Sequence, residues 1–159
     1  MIVVAIIAVL AVVVVPLFTS EGKKVKSKTE VGAMVAELAS KQERYKNESN
    51  VYLAVAECPT PASQNAKPVT ACQTAGSPWV TLGVVPTEQN LRCSYEVYQG
   101  DSATAPTAPA GATVVIPAAY VATSWYMIHA RCDIDGDGVL AHYVTSSFDA
   151  ALQITREGE

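Results

Sequence analysis

The chain has 159 residues, half of them apolar and 16% charged, with a formal net charge of −4. That length is about one domain's worth, and the acidic balance argues against a nucleic-acid partner, which needs a surplus of Lys and Arg on one face. The four cysteines include no C-x-x-C pair, and neither His129 nor His142 completes a ligand spacing, so two disulfides in an oxidising compartment are expected rather than a zinc site.

The apolar residues crowd the beginning. Met1 to Phe18 carries no charged side chain, and Ile2 to Val15 is unbroken apolar sequence. As a helix, this stretch would span about 27 Å, slightly short of a bilayer core of about 30 Å. A cleaved signal peptide would need a basic start and a small-x-small cleavage site. Here no basic residue precedes the run, and Pro16-Leu17-Phe18-Thr19-Ser20 is a poor site. A retained membrane span over residues 1–20 is therefore expected. Pro16 removes a helical hydrogen bond and crowds the preceding turn, so a kink or a locally melted stretch is expected there, with Gly22 as a second weak point.

Lys23, Lys24, Lys26 and Lys28 follow. They read as a solvated or headgroup-facing cluster. The positive-inside tendency would hold them in the cytoplasm, but the paired cysteines place the following domain outside, and the cysteines carry more weight. Helical periodicity then resumes. Val31, Met34, Val35, Leu38, Gln42 and Tyr45 recur at three- and four-residue steps with Gln42 the one polar member, which predicts an amphipathic helix from about Glu21 to about Glu48. Asn47, Ser49 and Asn50 supply its stop, and a cap or turn role is expected for the sequon Asn47-Glu48-Ser49. Residues 21–49 thus form the amphipathic half of one long helix, and residues 50–159 a head.

Residues Val51 to Pro86 hold prolines and two cysteines but no periodic run. They read as a loop tied by Cys58–Cys72, a ring of about 15 residues worth about 3 kcal/mol in the loop-entropy picture, with Trp79, Val80 and Leu82 anchoring it to the core. Leu91, Cys93, Tyr95 and Val97 alternate with polar neighbours as a half-buried strand. From Ser124 to Cys132, Tyr126, Ile128, Ala130 and Cys132 form the inner face while Trp125, Met127, His129 and Arg131 point out. Cys93 and Cys132 both fall on inner faces, so of the three pairings four cysteines allow, Cys58–Cys72 with Cys93–Cys132 is the expected one. Residues 100–111 read as a loop, Val114 to Ile116 as a short strand and Val139 to Val144 as a clear one.

The acidic turn Asp133, Asp135, Asp137 and Gly138 matches the first half of an EF-hand loop, in which alternate carboxylates supply hard oxygen ligands to calcium. The twelfth position should be a bidentate Glu and is Val144. The competing reading is a hairpin turn, for which D-G-D-G is well suited. Ser147, His142 and Asp149 can be arranged on paper as a triad, but no nucleophile-elbow sequence supports it, and no enzyme is expected.

The run Met1-Ile2-Val3-Val4-Ala5-Ile6-Ile7-Ala8-Val9-Leu10-Ala11 followed by Pro16 resembles the N-terminal signature of the type IV pilin family, in which a Gly commonly stands where Ala8 is. The stretch Glu37-Leu38-Ala39-Ser40-Lys41-Gln42-Glu43-Arg44-Tyr45, followed by Tyr52-Leu53, is also similar to pilins, as is Cys132-Asp133-Ile134-Asp135-Gly136-Asp137-Gly138. The resemblance implies an α+β fold, with the long N-terminal helix packed against an antiparallel sheet. It also implies assembly through Met1, Ile2, Val3, Val4, Ile6, Ile7, Val9, Leu10 and Pro16. In the family, a short basic leader and six further residues, among them a glutamate used in assembly, precede the position of Met1. The protein that is processed and assembled is expected to carry them.

The expected function is that of a structural subunit whose helices form a filament core and whose heads form its surface. Its partners would be further copies of itself, the inner membrane before assembly and the pilus assembly machinery. Its final location would be an extracellular pilus, and motility, adhesion or DNA uptake would be activities of the whole filament. No cofactor is required, with calcium at the acidic turn as the one candidate. The alternatives are a minor pilin, a pseudopilin of type II secretion, or a monomeric binding module held outside the cytoplasm by one membrane span.

Overall fold

The computed structural model describes residues 2–117 and 123–157, with side chains described for residue 22 and from residue 24 onward. The fold is α+β. Helix α1 runs from Ile2 to Ser49 without interruption, through both Pro16 and Gly22. It ends where Asn50 turns to φ 62° and its N–H reaches Lys46 O at 2.8 Å. Left-handed Asn is a standard helix terminator because its short polar side chain tolerates that region. Ser49 Oγ donates to Tyr45 O at 2.7 Å, so Ser49 and Asn50 of the expected stop take part in it.

The head is built on a five-stranded antiparallel sheet in the order β1-β4-β5-β6-β7. The strands are β1 Val55–Cys58, β4 Cys93–Gly100, β5 Trp125–Cys132, β6 Ala141–Ser146 and β7 Gln153–Thr155. A separate pair, β2 Lys67–Pro68 with β3 Asn90–Leu91, lies outside it. Helix α1 packs on one face of the sheet, against β4 and β5. Val31, Met34 and Leu38 are fully buried there with Tyr95, Ile128 and Tyr143. Gln42 is also buried, and its amide serves the neighbouring backbone: Nε2 donates to Leu53 O at 2.6 Å and Leu53 N donates to Oε1 at 2.9 Å. A side-chain amide replaces a strand partner there, which removes the cost of burying it.

Disulfides join Cys58 to Cys72, with Cα atoms 5.7 Å apart, and Cys93 to Cys132, 4.3 Å apart. Cys93 and Cys132 are directly opposed in the β4–β5 register. The first bond ties Cys72 to the end of β1, closing the loop within the 51–86 region.

Several boundaries differ from the sequence reading. The strand expected at Val139–Val144 is Ala141–Ser146. Asp137 Oδ1 accepts the Val139 N–H at 2.7 Å, so the turn uses that donor and the ladder begins at Ala141, opposite Cys132. Val114–Ile116 is not a strand. The Val115 amide goes to a side chain instead, donating to Gln153 Oε1 at 2.8 Å. Leu91 belongs to β3 rather than to β4, because the chain changes sheet at Arg92. Within the 51–86 region, Pro78–Leu82 forms a short helix, α2. Ser77 and Pro78 open it and Gly83, at φ 66°, closes it, an arrangement those residues favour. Trp79 and Leu82 share its inner side, and Val80 faces solvent at 48% exposure, so Val80 is not an anchor. Strands β1, β2 and β7 lack a readable alternation because they are short edges.

Candidate functional site

Three places in the head concentrate ionisable or ligand-bearing side chains. The first is the junction between α1 and the sheet. Glu30 is buried, at 8% exposure. Its carboxylate accepts the Arg92 N–H at 3.0 Å, the Cys93 N–H at 3.0 Å and the Tyr95 hydroxyl at 3.0 Å. These donors are freed where the chain leaves β3 for β4, so one carboxylate caps a change of sheet. Burial raises the Glu30 pKa above the ordinary carboxyl value, and the two backbone bonds and the Tyr95 bond oppose the rise. Tyr95 is raised well above its usual value, by burial first and then by the Glu30 charge. Sequence reasoning missed Glu30 although the signal existed. Carried back one turn from Met34 and Val31, the same helical stripe reaches Glu30 and Ser27, both buried.

The second is the face of the sheet turned away from α1. Trp125, Met127, His129 and Arg131 do point to that side, but they are not exposed. Trp125 is 5% exposed, and Met127 and His129 are 0%. Residues 101–117 lie across them. Trp125 Nε1 donates to Thr104 O at 2.7 Å, and Ala112 and Val114 pack against Trp125, Met127 and Val144. Beneath this cover, His129 Nε2 and His142 Nδ1 stand 2.9 Å apart. His129 Nδ1 is buried without a partner among the described residues. Burial, with the nearby Arg131 and His142, pushes the His129 pKa down to about 3, and His142 is lowered by burial, Arg131 and Arg156. Arg131 bridges Glu57 and Glu96 at 2.8 Å each, and Tyr98 donates to Glu96 at 2.7 Å. The two histidines are therefore strand residues that form a buried pair.

The third is the acidic turn between β5 and β6. Carboxylate oxygens of Asp133, Asp135 and Asp137 lie within 4.8 Å of one another. Each already accepts a backbone N–H: Asp133 from Gly136 at 2.7 Å, Asp135 from Asp137 at 3.1 Å and Asp137 from Val139 at 2.7 Å. Gly136 has φ 90°, a left-handed conformation that calls for glycine. Val144, at the twelfth position, is buried within β6 and offers no ligand.

The residues of the paper triad have other partners. His142 pairs with His129, Ser147 Oγ accepts the Tyr126 N–H at 3.2 Å, and Asp149 accepts from Ala151 N and Gln153 Nε2. Of the lysine cluster, Val25's neighbours Lys24 and Lys26 are at least partly exposed, and Lys28 reaches Glu157 at 2.8 Å. For the assembly residues Ile2, Val3, Val4, Ile6, Ile7, Val9, Leu10 and Pro16 the backbone is helical, and their side chains, like all of Met1, lie outside the described residues. Among the described residues, no helix is long and apolar enough to cross a membrane. The chain matches no protein-family model, no characterised protein and no solved structure.

Proposed function

We propose that this chain is a non-catalytic structural subunit of a type IV pilus-like filament, with a pilin fold. The observation that carries the reading is the disproportion between helix and head. Helix α1 has 48 residues, about 72 Å at 1.5 Å per residue. The longest strands have eight residues, about 26 Å. A sheet of that size covers only part of such a helix, and the buried positions described on α1 run from Ser27 to Gln42. The helix also carries the charge-free sequence Ile2–Phe18, whose apolar side chains favour burial away from water. Packing that segment against copies of itself yields a filament core, and embedding it in the inner membrane stores the subunit before assembly. The two disulfides suit a head that finishes outside the cytoplasm.

Electron microscopy of filaments sheared from cells that express the chain from its own gene, labelled with an antibody to the head, tests this. Labelled filaments are the expected result. Detection of the chain solely as monomer in the membrane fraction would overturn the filament reading and favour the anchored binding module.

A further inference from the structure

We propose that residues 101–117 form an acid-released strap over the outer face of the sheet, with the buried His129–His142 pair as its trigger. The strap is held by few polar contacts. Among the described residues its fixings to the sheet are Trp125 Nε1 to Thr104 O at 2.7 Å, Thr113 N to Thr155 Oγ1 at 2.9 Å, Thr155 Oγ1 to Thr113 O at 3.5 Å and Val115 N to Gln153 Oε1 at 2.8 Å. Between them Pro106 and Pro109 are buried, and Ala112 and Val114 cover Trp125, Met127 and Val144. Gly111 lies so close to His142 that a Cβ would stand 2.7 Å from the imidazole Cε1. The strap thus rests directly on the histidine pair.

The pair is built to be neutral. One N–H···N bond at 2.9 Å joins the rings, and the remaining ring nitrogen of His129 is buried with no partner among the described residues. A second proton would bring a charge into a buried site beside the Arg131 guanidinium. Charged groups on several elements face the pair. Arg131 on β5 repels it, and so does Arg156 after β7. Glu96 on β4 and Glu57 on β1 are already bound to Arg131, and Tyr98, which stacks over His129, donates to Glu96. The strap itself offers Asp101 as its one ionisable side chain, and that carboxylate accepts from Ala103 N, Thr104 N and Thr104 Oγ1. Lifting the strap is the direct route by which water reaches an imidazolium there. Since burial holds His129 at about 3 against about 6.5 for a free imidazole, the open form takes up protons first. Opening becomes progressively easier below pH 6.5.

The test is hydrogen exchange by NMR on the full chain in detergent micelles, corrected for the intrinsic pH dependence of exchange. Protection of the Thr113 and Val115 amides and of the Trp125 indole N–H should fall on the order of a hundredfold between pH 7 and pH 4.5, while amides facing α1 in β4 and β5 stay protected. The double variant His129→Leu/His142→Leu removes both partners at once and should keep the strap protected at pH 4.5. Wild-type protection that does not change, or a double variant that opens with the wild-type midpoint, would overturn the proposal. Should the double variant not fold, the ring 13Cε1 shifts of the wild-type decide the matter. Opening that coincides with imidazole titration supports the trigger, and opening while both rings stay neutral overturns it.

Discussion

Glu30 shows how one side chain can settle a local fold. Three donors left over at the passage from β3 to β4 converge on its carboxylate. Glu30→Ala strands them, and a buried donor without a partner costs about 1–3 kcal/mol, so a loss of about 2–3 kcal/mol in urea unfolding is expected. Glu30→Gln keeps an acceptor and should lose about 1 kcal/mol. The sign with pH follows from the raised carboxyl pKa. A group that holds its proton more tightly when folded contributes stability fully present below the ordinary carboxyl range and lost as pH rises through its folded-state value. The advantage of wild type over Glu30→Gln should therefore be largest near pH 4 and shrink toward pH 7. An advantage that grows with pH would mean that the hydrogen bonds outweigh burial. The acidic turn leads to the opposite kind of expectation. Each aspartate is already occupied by a backbone N–H, and the twelfth position is a buried valine. We expect the melting temperature of the full chain in micelles to be the same in calcium and in EDTA. A rise in calcium that Asp135→Asn abolishes would instead establish an ion site.

At the scale of elements, the legible parts of the fold were those with a sustained period. The α1 stripe from Val31 to Tyr45 and the alternation through Cys93 to Val97 and Tyr126 to Cys132 each repeat enough times to separate a helix from a strand, and each packs as its period implies. Elements of two to five residues had no such repetition. Strand β7 and the pair β2–β3 are positioned by partners distant in sequence, which a local pattern does not contain. Helix α2 was legible through Ser77-Pro78 and Gly83, yet the surrounding prolines read as loop. The outer face of the sheet failed for a different reason. Alternation correctly put Trp125, Met127 and His129 opposite the α1 face, but exposure depends on whether another segment covers that face. The cover, residues 101–117, is rich in Ala, Thr and Pro and looks like a solvated loop. Its cover comes from two buried prolines together with Ala112 and Val114, which composition does not reveal. The histidine pairing was hidden likewise, since it depends on the β5–β6 register, in which Arg131, not His129, stands opposite His142.

For the whole molecule, the decisive question is how a rigid head and a long helix share mechanical load, and Pro16 is where they would part. The helix is continuous from Ile2 to Ser49, although Pro16 has no N–H to give and its ring crowds the turn before it. Gly22 weakens the same stretch, since glycine costs up to about 1 kcal/mol relative to alanine within a helix. A Cβ added at Gly22 meets nothing within 4 Å among the described residues, so packing on the head does not require glycine there. In a filament core, carbonyls freed near Pro16 must find other partners, and tight packing of neighbouring helices can supply them. We expect the stretch from about Ala11 to Gly22 to be helical in the isolated subunit and extended in the filament. Each melted residue then rises about 3.3 Å rather than 1.5 Å, so heads can space themselves at a rise that a straight rod would forbid, and the filament can lengthen under tension. Pro16→Ala restores the missing donor. It should leave the head's fold unchanged, as read by the β4–β5 amide protection, while lowering filament yield or extensibility in pulling experiments. A filament reconstruction with unbroken helical hydrogen bonding from Ala11 through Gly22 would refute the melting, and Pro16→Ala filaments as extensible as wild type would show that the compliance arises elsewhere in the subunit.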